Sequence, residues 1–332
     1  MAFHKQILVT GGAGYVGSAL VPKLLDSGYR VTVLDLYLYG DQIFEKYRAH
    51  TGLKEVKGDL RHPEAVKEAV AGCDAVIHLA CISNDPSYDL NPDLGRSINY
   101  DAFRPLVKAS KDAGAKRFIY ASSSSVYGIK KEEYVTENLP LEPLTDYSKY
   151  KAMCEDVLQK ENEDDFCTVT VRPSTVCGYA PRLRLDLTVN ILTNHAINNR
   201  KITVFGGSQM RPNIHINDMV DAYLHLLNSP YDRVDGGVYN VGYQNLPVMR
   251  IAELVRDTVS ADVDIEVTPS DDNRSYHVSS ELMKKELGFV PRCTVEDAIR
   301  DLKTAFDTGL VPNSMSNSMY FNIRRMQEVD LV

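Results

Sequence analysis

The sequence predicts an α/β protein with a doubly wound parallel sheet and a smaller α/β C-terminal lobe. Three observations predict this fold. Short apolar runs alternate with segments of helical periodicity through the first half of the chain, a glycine cluster follows the first run, and an aspartate ends the second. Strands that alternate with helices form right-handed βαβ units, and the strands of such units lie parallel in one sheet.

The strands of this sheet are expected wherever a short apolar run is bounded by turn residues. Helices are expected where apolar side chains recur every three to four positions, as in 14–28, 64–70 and 102–113. The first of these helices ends at a glycine, which is a common helix stop. The predicted strands are 6–10, 30–34, 53–56, 75–79, 117–121 and 168–172, with one more strand at 237–241 that returns to the same sheet.

The pattern becomes looser after about residue 175. Helices are expected at 183–200, 218–227, 248–258 and 295–307, and strands at 202–205 and 264–268. We therefore predict that residues 1–175 with about 210–245 form the sheet domain and that 176–209 with 246–312 form the lobe. Residues 313–332 are polar and aperiodic, which predicts a loose or partner-dependent tail.

Composition excludes several classes of function. The chain has 332 residues and a net charge of −8, which repels nucleic acid. It contains no apolar run of the roughly 18–20 residues that a membrane span needs, so we expect no membrane association. Six cysteines without a CxxC pair, and a start without an export leader, predict a cytoplasmic protein with free thiols. The eight histidines show no metal-ligand spacing, so no metal is expected.

A glycine-rich segment, TGGAGYVG, spans residues 10–17 between the first strand and the first helix. Glycine there permits a tight turn and lets backbone N–H groups approach a pyrophosphate at the helix N-terminus. Asp35 ends the second strand, 18 residues after Gly17, where a carboxylate meets the adenosine ribose hydroxyls of a dinucleotide. This combination is typical of a Rossmann dinucleotide site. The predicted cofactor contacts in it are Gly11, Gly14, Tyr15, Val16, Gly17 and Asp35.

Asp35 also predicts which dinucleotide binds. A carboxylate accepts hydrogen bonds from a 2′-hydroxyl and repels a 2′-phosphate. The next four residues, 36–39, contain no arginine that could reverse this preference. NAD is therefore expected rather than NADP.

Tyr147 and Lys151 are four residues apart in YSKYK and would share one face of a helix. An ammonium beside a phenol stabilises the phenolate and lowers the pKa of the tyrosine, as a general base for an alcohol requires. The pair follows a serine-rich strand end, 121–128, by about twenty residues. We therefore predict an active site that is built from these two segments.

These segments, taken together in this order, resemble the extended short-chain dehydrogenase/reductase family, which includes nucleotide-sugar epimerases and dehydratases. The resemblance covers about residues 5–305 and includes GDL at 58–60 and SSSSVYG at 122–128. It implies that Tyr147 is the catalytic base, that Lys151 holds the nicotinamide ribose, and that Ser123 hydrogen-bonds the reacting hydroxyl. It further implies cofactor roles for Asp59 and Leu60 beside the adenine, Leu79 and Ala80 along the cofactor, and Asn99 in support of the active-site helix.

Two departures from the family pattern bear on which of the family's reactions is expected. The family's 4,6-dehydratases carry an Asp-Glu pair where this chain has Ser124 and Ser125, and hydroxyls cannot protonate and deprotonate sugar carbons at neutral pH. Dehydration is therefore disfavoured. The epimerases often carry an asparagine three residues after the strand arginine, where this chain has Thr175. We expect Ser124 and Thr175 to face the substrate.

Further substrate contacts follow from the resemblance. Arg211, in RPNIHIND, and Arg274, in DNRSY, resemble arginines that meet a nucleotide diphosphate, and guanidinium groups suit that ligand. The segment PRLRLDLTVN, with Arg184 and Leu187, resembles a subset of the family that includes GDP-heptose C4 dehydrogenases. A nucleotide-diphosphate sugar is therefore the expected partner.

The predicted activity is hydride transfer at a sugar carbon, with C4 as the expected position, by an NAD-dependent epimerase or 4-dehydrogenase. A keto-sugar reductase and a catalytically silent NAD-binding regulator remain alternatives, because a fold does not fix a function. A homodimer is also expected, since the helices near 100–113 and 146–160 carry more apolar residues than one sheet face needs. These residues are Phe103, Leu106, Val107, Tyr150, Met153 and Val157.

Overall fold

A computed structural model of the protein describes residues 4–270, 277–329 and 331. Its main feature is a seven-stranded sheet in which every neighbouring pair is parallel. The strands of this and the two smaller sheets are β1 Gln6–Thr10, β2 Arg30–Asp35, β3 Leu53–Lys57, β4 Ala75–His78, β5 Arg117–Ala121, β6 Cys167–Pro173, β7 Thr175–Cys177, β8 Lys201–Phe205, β9 Met210–His215, β10 Gly237–Val241, β11 Gln244–Pro247 and β12 Asp264–Thr268.

The strand order of the large sheet is β3-β2-β1-β4-β5-β6-β10. This order confirms the predicted doubly wound sheet and the late return of residues 237–241 to it. The chain reverses its direction of winding between β1 and β4. In sheets of this kind a crevice opens at that point, at the carboxyl ends of the strands, and ligands bind there.

Helices cover both faces of the large sheet. On one face, α1 packs against α8, and on the other, α2, α5 and α6 pack against each other and the strands. The helices are α1 Tyr15–Asp26, α2 Pro63–Val70, α3 Asp85–Tyr88, α4 Pro92–Arg96, α5 Phe103–Asp112, α6 Asp146–Lys160, α7 Thr188–Asn199, α8 Ile216–Asn228, α9 Tyr231–Val234, α10 Val248–Val259, α11 Glu281–Leu287, α12 Val295–Asp307 and α13 Asn322–Val329.

The smaller lobe has a core of its own, in which α7, α10 and α12 pack together. It contains the parallel pair β8–β12 and a three-stranded sheet in the order β11-β9-β7. Residues 210–215 were assigned to the sheet domain without a predicted strand, and they form β9, which pairs with β7 and β11. Its first two residues, Met210 and Arg211, are half-buried, which suits this small mixed sheet better than the fully buried centre of the large one.

The expectation of a loose C-terminal tail is wrong for the described part of that segment. Residues 322–329 form α13, and Asn322 and Met326 on this helix are buried. Met326 packs against Ile82, Leu94 and Ile98. The polarity that suggested disorder reflects side chains that hydrogen-bond inside the protein, which apolar periodicity cannot reveal.

The apolar excess that suggested a homodimer is only partly real. Phe103, Leu106 and Val107 of α5 are fully buried in the core beneath α6, so they are not available to a partner. Met153 on α6 is 40% exposed. Tyr150 and Val157 on the same helix are half-buried.

No helix among the described residues has the length and apolar character needed to cross a membrane.

Candidate active site

A cavity of about 390 Å³ lies at the carboxyl ends of β1, β2, β4 and β5, where the strand order reverses. The glycine loop and the loops after β2 and β4 form its first wall, which we call the near wall. A second wall, which we call the far wall, is formed by Arg182, Arg184 and Leu187 with the C-terminal residues Asn322, Met326 and Leu331. Tyr147 and the serine-rich loop after β5 lie at one end of the crevice.

The glycine loop is shaped by close backbone contacts. A Cβ atom at Gly11, where φ is +71°, would lie 2.5 Å from the backbone nitrogen of Ala80. A Cβ atom at Gly17 would lie 2.4 Å from the carbonyl oxygen of Gly12. Only glycine fits these two positions, so the loop can bring its backbone N–H groups to the N-terminus of α1 without side chains in the way. With Gly14, Tyr15 and Val16 also on the cavity surface, this geometry fits a dinucleotide pyrophosphate.

Asp35 lies on the near wall beside the glycine loop. Its two carboxylate oxygens accept hydrogen bonds from the backbone N–H groups of Ala13, at 2.9 Å, and Tyr37, at 2.8 Å. Burial raises the pKa of Asp35, and these two hydrogen bonds oppose that rise. The carboxylate is thus held at the position where a Rossmann site binds the adenosine ribose.

The remaining predicted cofactor residues surround this crevice. Asp59, Leu60, Leu79 and Ala80 are on its surface. Burial raises the pKa of Asp59, but hydrogen bonds from Arg61 outweigh it, so that the pKa is lowered overall. Asn99 is not on the cavity surface. Its side-chain amide forms two hydrogen bonds with the backbone of Ile82. Its backbone carbonyl accepts a hydrogen bond from the thiol of Cys154 on α6. It joins the loop after β4 to the helix that carries Tyr147.

Arg182 is a cavity residue that sequence analysis missed. Its guanidinium group stacks on the ring of Tyr39 at 3.5 Å, and its charge acts on Asp35. Residues 36–39 contain no arginine, as the sequence shows, but the folded protein brings Arg182 close to Asp35. Only the tertiary structure brings residue 182 to the loop that follows β2.

Tyr147, Lys151 and Ser123 come together as predicted. A capping box between Thr145 and Ser148 fixes the start of α6, so Tyr147 lies in its first turn and faces the cavity. Lys151 lies one turn later and is buried, with Nζ 2.6 Å from the carbonyl oxygen of Ala121 and 5.9 Å from the centre of the Tyr147 ring. Ser123 precedes the 3₁₀ turn Ser124–Tyr127 and reaches Tyr147 with its hydroxyl.

The pKa of Tyr147 differs from the expectation. Burial raises it strongly, and the neighbouring Cys81 and Asp85 add to this rise. The Arg184 guanidinium and the hydrogen bond with Ser123 lower it. Lys151 is not among the main causes of this shift, and its ammonium group binds the carbonyl oxygen of Ala121.

A buried ionic network supports the serine loop, and sequence analysis did not find it. Arg172 of β6 pairs with Glu155 of α6 at 2.6 Å, and Ser122 donates a hydrogen bond to the same carboxylate. Arg172 also donates to the hydroxyl of Tyr127 at 2.7 Å. The network connects β6, α6 and the loop of Ser123 through buried hydrogen bonds. It therefore fixes the position of Ser123 relative to Tyr147.

The structure sorts the predicted substrate residues into two groups. Ser123, Ser124, Thr175, Arg184 and Leu187 all line the cavity. Arg211 lies outside it on β9, where its guanidinium group donates to the backbone of Met210. Arg274 lies outside the described residues.

This fold and site define a class: a dinucleotide-binding enzyme whose crevice is lined by a glycine loop, a tyrosine and a serine-rich loop. The comparisons with known proteins agree. The model of the "NAD dependent epimerase/dehydratase family" matches residues 7–242. A UDP-glucose 4-epimerase of Lactobacillus helveticus is 29% identical over 274 residues, which are 75% of this chain and 81% of the relative.

Two solved structures are similar over almost their full length. The UDP-N-acetylglucosamine 4-epimerase of Methanobrevibacter ruminantium, in complex with UDP-N-acetylmuramic acid, is 25% identical with a TM-score of 0.83. MoeE5, in complex with UDP-glucose and NAD, is 26% identical with a TM-score of 0.77. Each covers 92% of this chain and is itself covered to 99%.

The chain belongs to the NAD-dependent epimerase/dehydratase family. The predictions of an NAD-dependent enzyme and of its family are thereby confirmed.

Proposed function

We propose that this protein oxidises a nucleotide-diphosphate sugar at C4 by hydride transfer to NAD, and acts as an epimerase or a 4-dehydrogenase. The observation that carries this proposal is that Ser123 and Tyr147 line the same crevice as the glycine loop and Asp35. The similarity to the UDP-sugar 4-epimerases of Lactobacillus and Methanobrevibacter supports the substrate class and the position of the reaction.

Each residue of this site has a defined task in the oxidation of an alcohol. NAD⁺, when bound, supplies the hydride acceptor and a positive charge on its nicotinamide ring. Tyr147 accepts the proton of the sugar hydroxyl while the carbon loses hydride, and Ser123 orients that hydroxyl. Because burial raises the pKa of Tyr147, the positive charge of Arg184 and the hydrogen bond with Ser123 are needed to favour the phenolate.

The serine loop argues against dehydration. Ser124 lines the cavity where the family's dehydratases have an acid, and Ser125 turns its hydroxyl to Ser123 at 2.9 Å. Neither hydroxyl ionises near neutral pH. The keto sugar formed at C4 is therefore either reduced again on its other face, as in an epimerase, or released with NADH, as in a dehydrogenase.

The proposal is tested by single-turnover assays with UDP, GDP and dTDP sugars, in which the absorbance of enzyme-bound NADH reports hydride transfer. Tyr147→Phe should lower the rate by about 10²–10⁴-fold, since the ring packs as before but has no proton acceptor. Lys151→Ala should also slow the reaction and weaken NAD binding. Ser123→Ala should have a milder effect, because it removes one hydrogen bond, worth about 1 kcal/mol, and no proton acceptor.

Matched controls separate chemistry from binding. Tyr150→Phe on the same helix should leave the rate unchanged, and Tyr147→Phe should bind NAD like the wild type. A Tyr147→Phe protein with wild-type turnover would show that this tyrosine is not the base. A wild type without turnover of any sugar nucleotide in either direction would favour a catalytically silent regulator.

We also propose that the protein is a homodimer that pairs through α6. Met153 is exposed on this helix, beside the half-buried Tyr150 and Val157. This patch is smaller than the predicted one, because the apolar residues of α5 are in the core. Light scattering should give a dimer mass at micromolar concentration, and Met153→Glu should shift it towards the monomer; a monomeric wild type would contradict the proposal.

The cytoplasm is the compartment that we propose for this enzyme. All six cysteines are free thiols, and four of them are buried. Burial raises the pKa of Cys154 to about 12 and that of Cys167 to about 11, so these thiols stay protonated and unreactive. Fractionation of the source cells, with detection by an antibody, tests this location.

A further inference from the structure

The far wall of the cavity contains two buried guanidinium groups with unused hydrogen-bond donors. Arg182 is 3% exposed and Arg184 is 8% exposed, and both side chains line the cavity. Among the described residues, neither the Nε of Arg182 nor the Nη2 of Arg184 has a hydrogen-bond partner. Buried donors of charged groups are rarely left unpaired, because desolvation then costs free energy without compensation. The positive charges of these two cavity-lining side chains favour an anionic ligand in the cavity.

The neighbours of the two arginines show which part of the crevice they face. Arg182 stacks on Tyr39 and acts on Asp35, which marks the adenosine end. Arg184 acts on Tyr147, which marks the reacting end. The backbone nitrogen of Arg182 donates to Ser18 on α1, so this segment rests on the helix whose N-terminus begins the glycine loop. The two guanidinium groups thus lie between the two ends, where the diphosphate of a dinucleotide belongs.

The C-terminal helix holds this pair in place through Asn322. The side-chain oxygen of Asn322 accepts hydrogen bonds from Arg182, at 2.5 Å, and from the hydroxyl of Tyr39, at 3.0 Å. Its amide donates to Ser83, which also accepts from Arg184. Its backbone nitrogen donates to Asp186, the ion-pair partner of Arg184. One buried residue therefore contacts every group that fixes the two arginines.

We propose that Arg182 and Arg184 form a second clamp on the dinucleotide diphosphate, opposite the glycine loop, and that Asn322 of the C-terminal helix positions this clamp. The clamp gives the cofactor a cationic contact that the glycine loop, built from backbone amides, does not supply. It also makes the end of the chain a determinant of cofactor retention. The inference rests on the proposed NAD-dependent function, but its test requires no sugar and no turnover.

Calorimetry on protein freed of copurified cofactor tests the clamp with ADP-ribose, which has the diphosphate, and adenosine, which lacks it. Arg182→Ala should weaken ADP-ribose binding by about 10–100-fold, the range for a lost hydrogen bond to a charged group, and leave adenosine binding within about twofold. Arg182→Lys should restore part of the affinity, since it keeps the charge but not the planar group. The salt dependence of ADP-ribose binding should be weaker in Arg182→Ala.

Asn322→Ala tests the positioning role. It should weaken ADP-ribose binding by about fivefold to tenfold, because Arg182 then loses a hydrogen bond that positions it, and speed the release of NADH measured by fluorescence. Gln327→Ala, an exposed position on the same helix, and Arg250→Ala, an exposed arginine of the lobe, are the matched controls and should behave like the wild type. Circular dichroism and thermal melting confirm that each variant is folded.

Three results would overturn the proposal. Equal losses for adenosine and ADP-ribose would show a general distortion of the site. Unchanged ADP-ribose binding in Arg182→Ala would show that the guanidinium group does not contact the cofactor diphosphate. If Arg182→Ala weakened the binding of UDP or GDP but not of ADP-ribose, the arginines would instead contact the diphosphate of the sugar nucleotide. Failure of the proposed sugar chemistry would leave all these binding measurements unaffected.

Discussion

The two walls of the cavity bind ligand in different ways. The near wall consists mainly of backbone: the turn at Gly11, Gly14 and Gly17 sets the positions of the N–H groups, with no side chain in between. The far wall consists of side chains, with Arg182, Arg184 and Asn322 held in a hydrogen-bond network. The glycine turn is rigid but offers an anion only partial positive charges, whereas the guanidinium groups offer full positive charges that other residues must position.

Replacing a glycine of the near wall should have the largest effect on the cofactor. In Gly17→Ala the new Cβ would lie 2.4 Å from the oxygen and 2.5 Å from the Cα of Gly12, and backbone atoms in a tight turn cannot move aside. We expect NAD affinity to fall by more than about 100-fold, or about 2.7 kcal/mol, in a calorimetric titration.

Gly28→Ala is the matched control for this variant. Gly28 also has a positive φ of +86°, but a Cβ there meets nothing within 4 Å. It should lower the free energy of unfolding by about 1–2 kcal/mol without changing NAD affinity. Wild-type NAD affinity in Gly17→Ala would mean that the near wall is more adaptable than the far wall, which reverses the comparison.

The same contrast explains what the sequence could and could not predict. The sequence predicted the large sheet, its returning strand and the near wall because the patterns that indicate them are local. Gly17 and Asp35, for example, are close in the chain. The far wall was not, because it forms when residues 182–187 and 322–331 meet, and hydrophobic periodicity carries no information on such a meeting. Arg184 was expected at the substrate from a resemblance alone, and Asn322 was assigned to a loose tail. The unpaired donors of Arg182 become visible only when its burial is known.

The opposite charges of Asp35 on the near wall and Arg182 on the far wall should together determine the relative affinity for NAD and NADP. Asp35 on the near wall repels a 2′-phosphate, whereas Arg182 on the far wall, in the same crevice, would attract it. With the carboxylate ionised, NAD should bind more tightly than NADP by about 1–3 kcal/mol. Asp35→Asn should raise NADP affinity by about tenfold, because it removes the repulsion and leaves the guanidinium group in place.

Asp41→Asn is the control for that measurement, since Asp41 is an exposed carboxylate that pairs with Lys57. It should leave both affinities unchanged. Because burial raises the pKa of Asp35, the preference for NAD should also weaken as the pH falls. Equal affinities of the wild type for NAD and NADP at pH 7 would show that Arg182, and not Asp35, dominates this end of the crevice.

Acid should weaken the sheet beneath the near wall, which is the smallest of these effects. His78 of β4 is buried against Tyr120, Phe103 and Phe118, and its Nδ1 lies 2.7 Å from the hydroxyl of Thr10 at the end of β1. Burial lowers the pKa of His78 from 6.5 to about 3, so the ring is neutral in the folded protein. The unfolded chain binds this proton below about pH 6.5 and the folded protein does not, so stability is lost as the pH falls through this range.

Between pH 7 and pH 5.5 the loss from His78 should be about 1 kcal/mol in the free energy of unfolding by urea. In His78→Phe the ring packing is kept but nothing titrates, so the pH dependence should become smaller by that amount. His62→Gln, at an exposed histidine, should retain the full dependence. Equal losses of stability in His78→Phe and the wild type would show that protonation of His78 does not cause the effect. The loss would then arise outside the strand pair β1–β4 under the glycine loop.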